Sequence, residues 1–337
     1  MSSDGAPKRL IPKHELRKIK IRVAQLRKTG HEVFTDEEVE KEGWTLNPTD
    51  RGFVVSHTPQ KEEWDCGLAC ARMALGVLSD AMPSPRLLAQ RVDGDSVWTI
   101  DLAYVLKEYG VDVRYLTEVL ELNESEYSGN AFYAPSLKRD AWRVNRLLRA
   151  APAEGVVVEQ RTLSAAELWN LMSDEETLVI ALVDARILSM RAVPSSDSGK
   201  NSPRPGSGSK KKGKGEAKSS RSQDPPETFQ GHYVLLLGVD TERGGYLLND
   251  PARSDERTFV KADVLEAARH AKGTDEDLLL INIYQETPPK PPPPGSESRI
   301  HAVMKPKSRA SKEEAEEVEA AAAESGTASD ASSVALR

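Results

Sequence analysis

The run Gln60-Lys61-Glu62-Glu63-Trp64-Asp65-Cys66-Gly67-Leu68-Ala69-Cys70 sets an amide donor six residues ahead of a thiol, and the thiol at the head of a helix. From Leu68 to Leu78 only Arg72 is charged and apolar residues run all round the cylinder, the pattern of a helix buried at a domain centre. Asp65 stands where an N-cap is expected, so Cys66 falls in the first turn. There the positive end of the helix dipole favours a thiolate over a thiol. The loop from Gln60 is long enough to fold back and aim the side-chain amide at an oxygen beside the sulfur. With the Cys66 backbone N–H it makes an expected oxyanion hole.

Two later apolar runs supply the partners such a thiol needs. Gly231-His232-Tyr233-Val234-Leu235-Leu236-Leu237-Gly238-Val239-Asp240 reads as a buried strand with an imidazole at its start, and Tyr246-Leu247-Leu248-Asn249-Asp250 reads as a second strand ending in a carboxylate. In an antiparallel hairpin, His232 is brought opposite Asp250 if Leu236 pairs with Tyr246, leaving a wide connection through Thr241 to Gly245; a tight turn at Arg243-Gly244 separates them. The wide register is the expectation. Asp250 then orients His232 while the other ring nitrogen faces Cys66, the general nucleophile, base and orienter arrangement. Alone, Cys66 reads as a small buried hydrophobe and His232 as a strand-end residue. It is the joint order Gln60, Cys66, His232, Asp250 that makes a site of them.

Outward from this centre the chain alternates helix and strand. Helices are expected over Asp65 to Leu78, Thr99 to Tyr109, Ala141 to Ala150, from the Ser164/Glu167 capping box through Met172, and over Ala262 to Ala271. Further strands are expected over Val111 to Leu116, Val156 to Glu159, Leu178 to Val183 and Leu278 to Tyr284. The fold class is therefore α+β. Residues 1-47 form a charged N-terminal extension with candidate helices at His14 to Leu26 and Asp36 to Glu42. The folded domain spans 48-286. It is interrupted by a Ser, Gly, Pro and Lys-rich insertion over 194-226, and residues 287-337 form a Pro-rich then acidic tail, both expected to be disordered.

A net charge of -7 over 337 residues argues against a general nucleic-acid binder. No apolar run approaches the roughly 20 residues that span a bilayer. The two cysteines sit one helical turn apart, unsuited to bridging each other, and no N-terminal stretch resembles a signal peptide, so a reducing, cytoplasmic setting is expected. Lys210-Lys211-Lys212 reads by default as a solvated linker, with nuclear import or contact with an anionic surface as alternatives, so it assigns no compartment by itself and the nucleus stands only as a second location beside the cytoplasm. Cys70 reads as packing. With His57 or His232 it falls short of the four ligands of a zinc site, so no metal is assigned.

At Gln60, Asp65-Cys66-Gly67, His232 and Asp250 the chain resembles the papain-like cysteine peptidase superfamily, most closely its bacteriocin-processing branch. That resemblance implies a helix carrying the cysteine packed on an antiparallel sheet carrying the histidine and aspartate. Five blocks, Trp64 to Cys70, Trp98-Thr99-Ile100-Asp101-Leu102-Ala103-Tyr104, Gly231-His232, Asn249-Asp250-Pro251 and Gly273-Thr274-Asp275-Glu276-Asp277, resemble the guanylyl cyclase domain-containing proteins, also called plant-type guanylyl cyclases. Asp65, Trp98, Asp101, Tyr104 and Asn249 enter as secondary substrate-site candidates. The first resemblance implies hydrolysis or acyl transfer on a peptide or protein substrate, with Cys66, His232, Asp250 and Gln60 catalytic and no cofactor. The second implies conversion of GTP to cyclic GMP with a divalent metal, although the chain has no Gly-x-x-x-x-Gly-Lys-Ser/Thr phosphate loop. A non-catalytic peptide-binding module is the third reading.

Overall fold

The computed structural model describes residues 10–11, 45–46 and 53–306, apart from 54, 80–81, 95, 131, 135, 175, 191–228, 256 and 286. The strands are β1 (Leu10–Ile11), β2 (Thr45–Leu46), β3 (Val113–Thr117), β4 (Val157–Gln160), β5 (Thr177–Asp184), β6 (Gly231–Asp240), β7 (Gly245–Asn249), β8 (Thr258–Lys261) and β9 (Leu278–Asn282). The helices are α1 (Cys66–Leu78), α2 (Pro85–Ala89), α3 (Thr99–Glu108), α4 (Glu124–Tyr127), α5 (Leu137–Ala150), α6 (Ala165–Ser173), α7 (Ala185–Met190), α8 (Ala262–Arg269) and α9 (Arg299–Met304). The chain is α+β. The candidate helices at His14 to Leu26 and Asp36 to Glu42, and the insertion over 194-226, lie outside the described residues.

Seven strands form one sheet in the order β4-β3-β9-β5-β6-β7-β8, antiparallel throughout except for the β3/β4 pair. Its central strands read as unbroken apolar runs because both faces are covered. Leu178, Ile180 and Leu182 of β5, with Tyr233, Leu235 and Leu237 of β6, point into the core shared with α1, α3 and α5. Val179, Ala181 and Val183, with Val234 and Leu236, point into a second core shared with α6 and α8. Gly67 lets α1 lie close on this sheet: a Cβ there would stand 2.8 Å from Leu102 and 3.0 Å from Tyr233. The capping box at α6 forms, with the Ser164 hydroxyl accepting from the Glu167 N–H and the Glu167 carboxylate accepting from the Ser164 N–H. No helix among the described residues is long and apolar enough to cross a membrane.

Two expectations need correction. The β6/β7 hairpin does not take the wide register: Leu236 pairs with Leu248, and Tyr246 pairs with Val239 across a turn from Thr241 to Gly244. A bulge between Leu236 and Gly238 makes this possible, and Gly238 there adopts φ 152°, a conformation that suits glycine. The second concerns the start of the C-terminal tail, which is packed rather than solvated up to α9. Ile300 and Val303 are buried, the Ser298 side chain caps α9, and the Lys290 N–H donates to the Tyr109 carbonyl at 2.8 Å. Arg146 holds the far end through the Val303 carbonyl at 3.0 Å and the Lys305 carbonyl at 2.7 Å. A two-residue apolar contact is too short to stand out in a Pro-rich and charged stretch.

Candidate active site

Cys66 opens α1 and is only 6% exposed. As the first helical residue, its N–H has no acceptor within the helix. Asp65 occupies the N-cap position, but its side chain makes no cap hydrogen bond; it faces backwards and accepts from the Lys61 N–H at 3.0 Å and the Glu62 N–H at 3.2 Å. Asp65 therefore shapes the loop that carries Gln60 instead of holding the helix. The same loop is stitched to the turn after β7: the Gln60 N–H donates to the Pro251 carbonyl at 2.9 Å, and a His57 ring nitrogen bonds the Arg253 carbonyl at 2.7 Å.

His232 sits at the start of β6, paired with Val183 of β5. Carried past the end of β7, the observed register would set it opposite position 252, not 250. Asp250 nevertheless reaches it, because β7 ends at Asn249 and the chain turns there, with the Arg253 N–H donating to the Asp250 carbonyl at 3.0 Å. His232 Nε2 lies 2.7 Å from Asp250 Oδ1, and the same oxygen accepts from the Ala252 N–H at 2.9 Å. Cys66 is near enough to His232 for its charge to act on the imidazole. Nε2 is taken by Asp250, which leaves Nδ1 as the nitrogen available to the sulfur. Thiol, imidazole and carboxylate are brought to one site from three separate elements.

The electrostatics follow from this placement. Burial disfavours a charged imidazole, yet the hydrogen bond to Asp250 and the nearby Cys66 and Asp250 charges outweigh it, and His232 is pushed up from 6.5 to about 10. Burial also works against the Asp250 carboxylate, but the His232 hydrogen bond and charge, the Ala252 N–H and Arg253 bring it below its usual range. Burial pushes the Cys70 thiol well up, with Cys66 and Asp250 adding to it; its sulfur contacts the Tyr233 carbonyl. Cys70 is packing, as its sequence position suggested.

Two cavities flank the dyad and share Glu63, Phe132 and Gly231. One, of about 540 Å³, is lined by His232, Asp250 and Gln60; the other, of about 370 Å³, is lined by Cys66, Trp98, Tyr133 and Tyr233. The Gln60 amide nitrogen donates to the Glu62 carbonyl at 3.0 Å, and its Oε1 is buried without a partner. Of the secondary candidates, Trp98 alone lines either cavity. Asp101 is turned into the core, where it accepts from the Trp98 N–H at 2.8 Å and pairs with Arg143. The Tyr104 hydroxyl donates to the Leu147 carbonyl at 3.0 Å, and the Asn249 amide braces the Val55 carbonyl at 3.1 Å and the Arg257 N–H at 2.9 Å. These three support the frame of the site rather than line it.

Phe132, Tyr133, Tyr233 and Arg253 were not singled out from the sequence. Two adjacent aromatics in the polar, turn-rich stretch from Tyr127 to Pro135 were the available signal. The Gly273 to Asp277 block proves to be their support: the Tyr133 hydroxyl donates to the Gly273 carbonyl at 2.6 Å, the Tyr127 hydroxyl to Asp275 at 2.7 Å, and the Tyr115 hydroxyl to Asp277 at 2.9 Å. Burial and the nearby Asp275 charge push the Asp277 carboxyl well above its usual range.

Residues 55–281, which include every one of these groups, match the family described as guanylylate cyclase. The chain belongs to that family. An Arabidopsis thaliana relative named Guanylyl cyclase 1 is 34% identical over 236 residues, covering 70% of this chain and 78% of that protein. Membership agrees with the five sequence blocks. Among the described residues no three His, Cys, Asp or Glu side chains converge as ligands for a metal ion.

Proposed function

We propose that this member of the guanylylate cyclase family is a thiol-dependent hydrolase or acyl transferase of papain-like type. The observation that carries the reading is His232 bonded to the Asp250 carboxylate at 2.7 Å, with the Cys66 thiol at the start of a buried helix near enough to act on the imidazole. An imidazole near the sulfur, with a helix N-terminus behind it, is the arrangement of base and nucleophile that covalent catalysis uses. The Cys66 sulfur attacks an amide or thioester carbonyl carbon, forming an S–C bond; the oxyanion is met by the Cys66 N–H and the Gln60 amide. The carbonyl re-forms as the bond to the leaving group breaks, and His232 gives that group its proton. Water, or an acceptor amine, then attacks the thioester, passes a proton to His232, and releases the acyl product and the thiolate. The papain-like character lies in a central thiol-bearing helix laid on an antiparallel sheet bearing the imidazole and carboxylate. A peptide or protein substrate fits an open cleft with a cavity on either side of the nucleophile.

Treatment of the full-length chain with a thiol-directed probe tests this. Selective labelling of Cys66 over Cys70, lost in His232→Ala, is the expected result; equal labelling of both cysteines, or labelling indifferent to His232, overturns it. Conversion of GTP to cyclic GMP is the second reading, favoured by family membership. Cyclic GMP formation that survives Cys66→Ala would establish that chemistry in place of the thiol route.

A further inference from the structure

We infer that the cavity beside Cys66 receives the acyl half of the substrate and selects an apolar group of aromatic size, while the cavity beside His232 receives the leaving group. This rests on the thiol reading above and adds the substrate class to it. The assignment of halves follows from bond order. After the first step the acyl group stays on sulfur, and the departing group collects its proton from imidazole. Cys66 lines one cavity and not the other, and His232 the reverse.

What sets the Cys66 cavity apart is its aromatic rings, Trp98, Phe132, Tyr133 and Tyr233. Trp98 and Tyr133 stack with ring centroids 4.9 Å apart, and Phe132 stands edge-on to Tyr133 at 5.1 Å. The polar atoms of the inner rings are spent on the protein: the Trp98 indole N–H donates to Asp140 at 3.2 Å, the Tyr133 hydroxyl to the Gly273 carbonyl at 2.6 Å, and the Tyr233 hydroxyl bonds Thr99 at 2.9 Å. Carbon is what these rings leave for a ligand. The His232 cavity has no such ring stack: Phe132 is its one aromatic lining residue, and Ala185, Leu188, Leu248 and Val260 stand beside Gln60, Arg253 and Thr258.

Acetylated single-residue chloromethyl ketones test the acyl side. The Cys66 sulfur attacks their methylene carbon and expels chloride, with the residue's side chain carried in the acyl position. Rates of Cys66 modification in the full-length chain are read by mass spectrometry for phenylalanyl, glycyl and glutamyl reagents, each divided by the rate with iodoacetamide, which is too small to reach the aromatic walls. The phenylalanyl reagent should exceed the glycyl one by about tenfold or more, the low end of what filling an apolar pocket contributes, and the glutamyl reagent should be slowest. Phe132 is 46% exposed, so Phe132→Ala should leave the fold intact while lowering the phenylalanyl-to-glycyl ratio, and Phe132→Leu should restore most of it. A ratio near one, a faster glutamyl reagent, or a ratio untouched by Phe132→Ala overturns the inference. If iodoacetamide modifies Cys66 equally in wild type and His232→Ala, the thiol reading itself falls, and the acyl pocket with it.

Discussion

Replacing Asp250 by Asn keeps the shape of the contact to His232 and removes its charge, which isolates what the carboxylate contributes. The rise of His232 from 6.5 to about 10 is about 3.5 pH units, or about 5 kcal/mol at 1.36 kcal/mol per unit. Burial works against the rise, so Asp250 and Cys66 together contribute more than this net amount, and the Asp250 hydrogen bond is the largest raising cause. Because the folded-state value lies above the ordinary one, this stabilisation is present in full below about pH 6.5 and is lost as pH rises through about 10. Imidazole NMR on histidine-labelled protein, with the His232 signal assigned by His232→Gln, reads the midpoint directly. Wild type should titrate near 10 and Asp250→Asn clearly lower. In thermal melts the wild type should lose stability steadily between about pH 7 and 10, whereas the variant should lose less and finish losing it at lower pH. A wild-type midpoint near 6.5, or a midpoint unmoved by Asp250→Asn, would refute the claim that the carboxylate and the thiol hold the imidazole charged.

Asp101→Ala strands the buried Arg143 guanidinium and should cost about 3 to 5 kcal/mol in urea unfolding, while the folded fraction keeps its Cys66 reactivity; a loss below about 1 kcal/mol would make Asp101 something other than a frame residue. Gly238→Ala forces a side chain onto φ 152° at the bulge and should cost about 1 to 3 kcal/mol. It should also slow Cys66 labelling, since the bulge sets where β6 presents His232; unchanged labelling would separate the bulge from the site. Ile300→Ala should destabilise the whole domain by about 2 to 4 kcal/mol if α9 is part of the core, and calorimetry showing no change would return that helix to the tail.

Much of the site was legible because its parts announce themselves locally. A helix apolar on all sides, as from Leu68 to Leu78, has nowhere to go but the centre, and strands buried on both faces, such as Leu178 to Val183 and Val234 to Leu237, show unbroken apolar runs. The Ser164/Glu167 box marks a helix start by its own hydrogen bonds. Asp65 was less legible, since the same carboxylate at the same position serves a helix ahead of it or a loop behind it. The choice is made by the Lys61 and Glu62 N–H groups folding back.

From sequence alone came the α+β class, the order of the elements and the four residues on which the proposed chemistry rests, because hydrophobic period and residue type act over a few positions at a time. Folding in three dimensions decided the hairpin register, the turn that swings Asp250 back to His232, the docking of α9, and the aromatic wall assembled from residues 98, 132, 133 and 233. Each of these depends on contacts between segments tens to hundreds of residues apart, whose energies no local stretch of chain records.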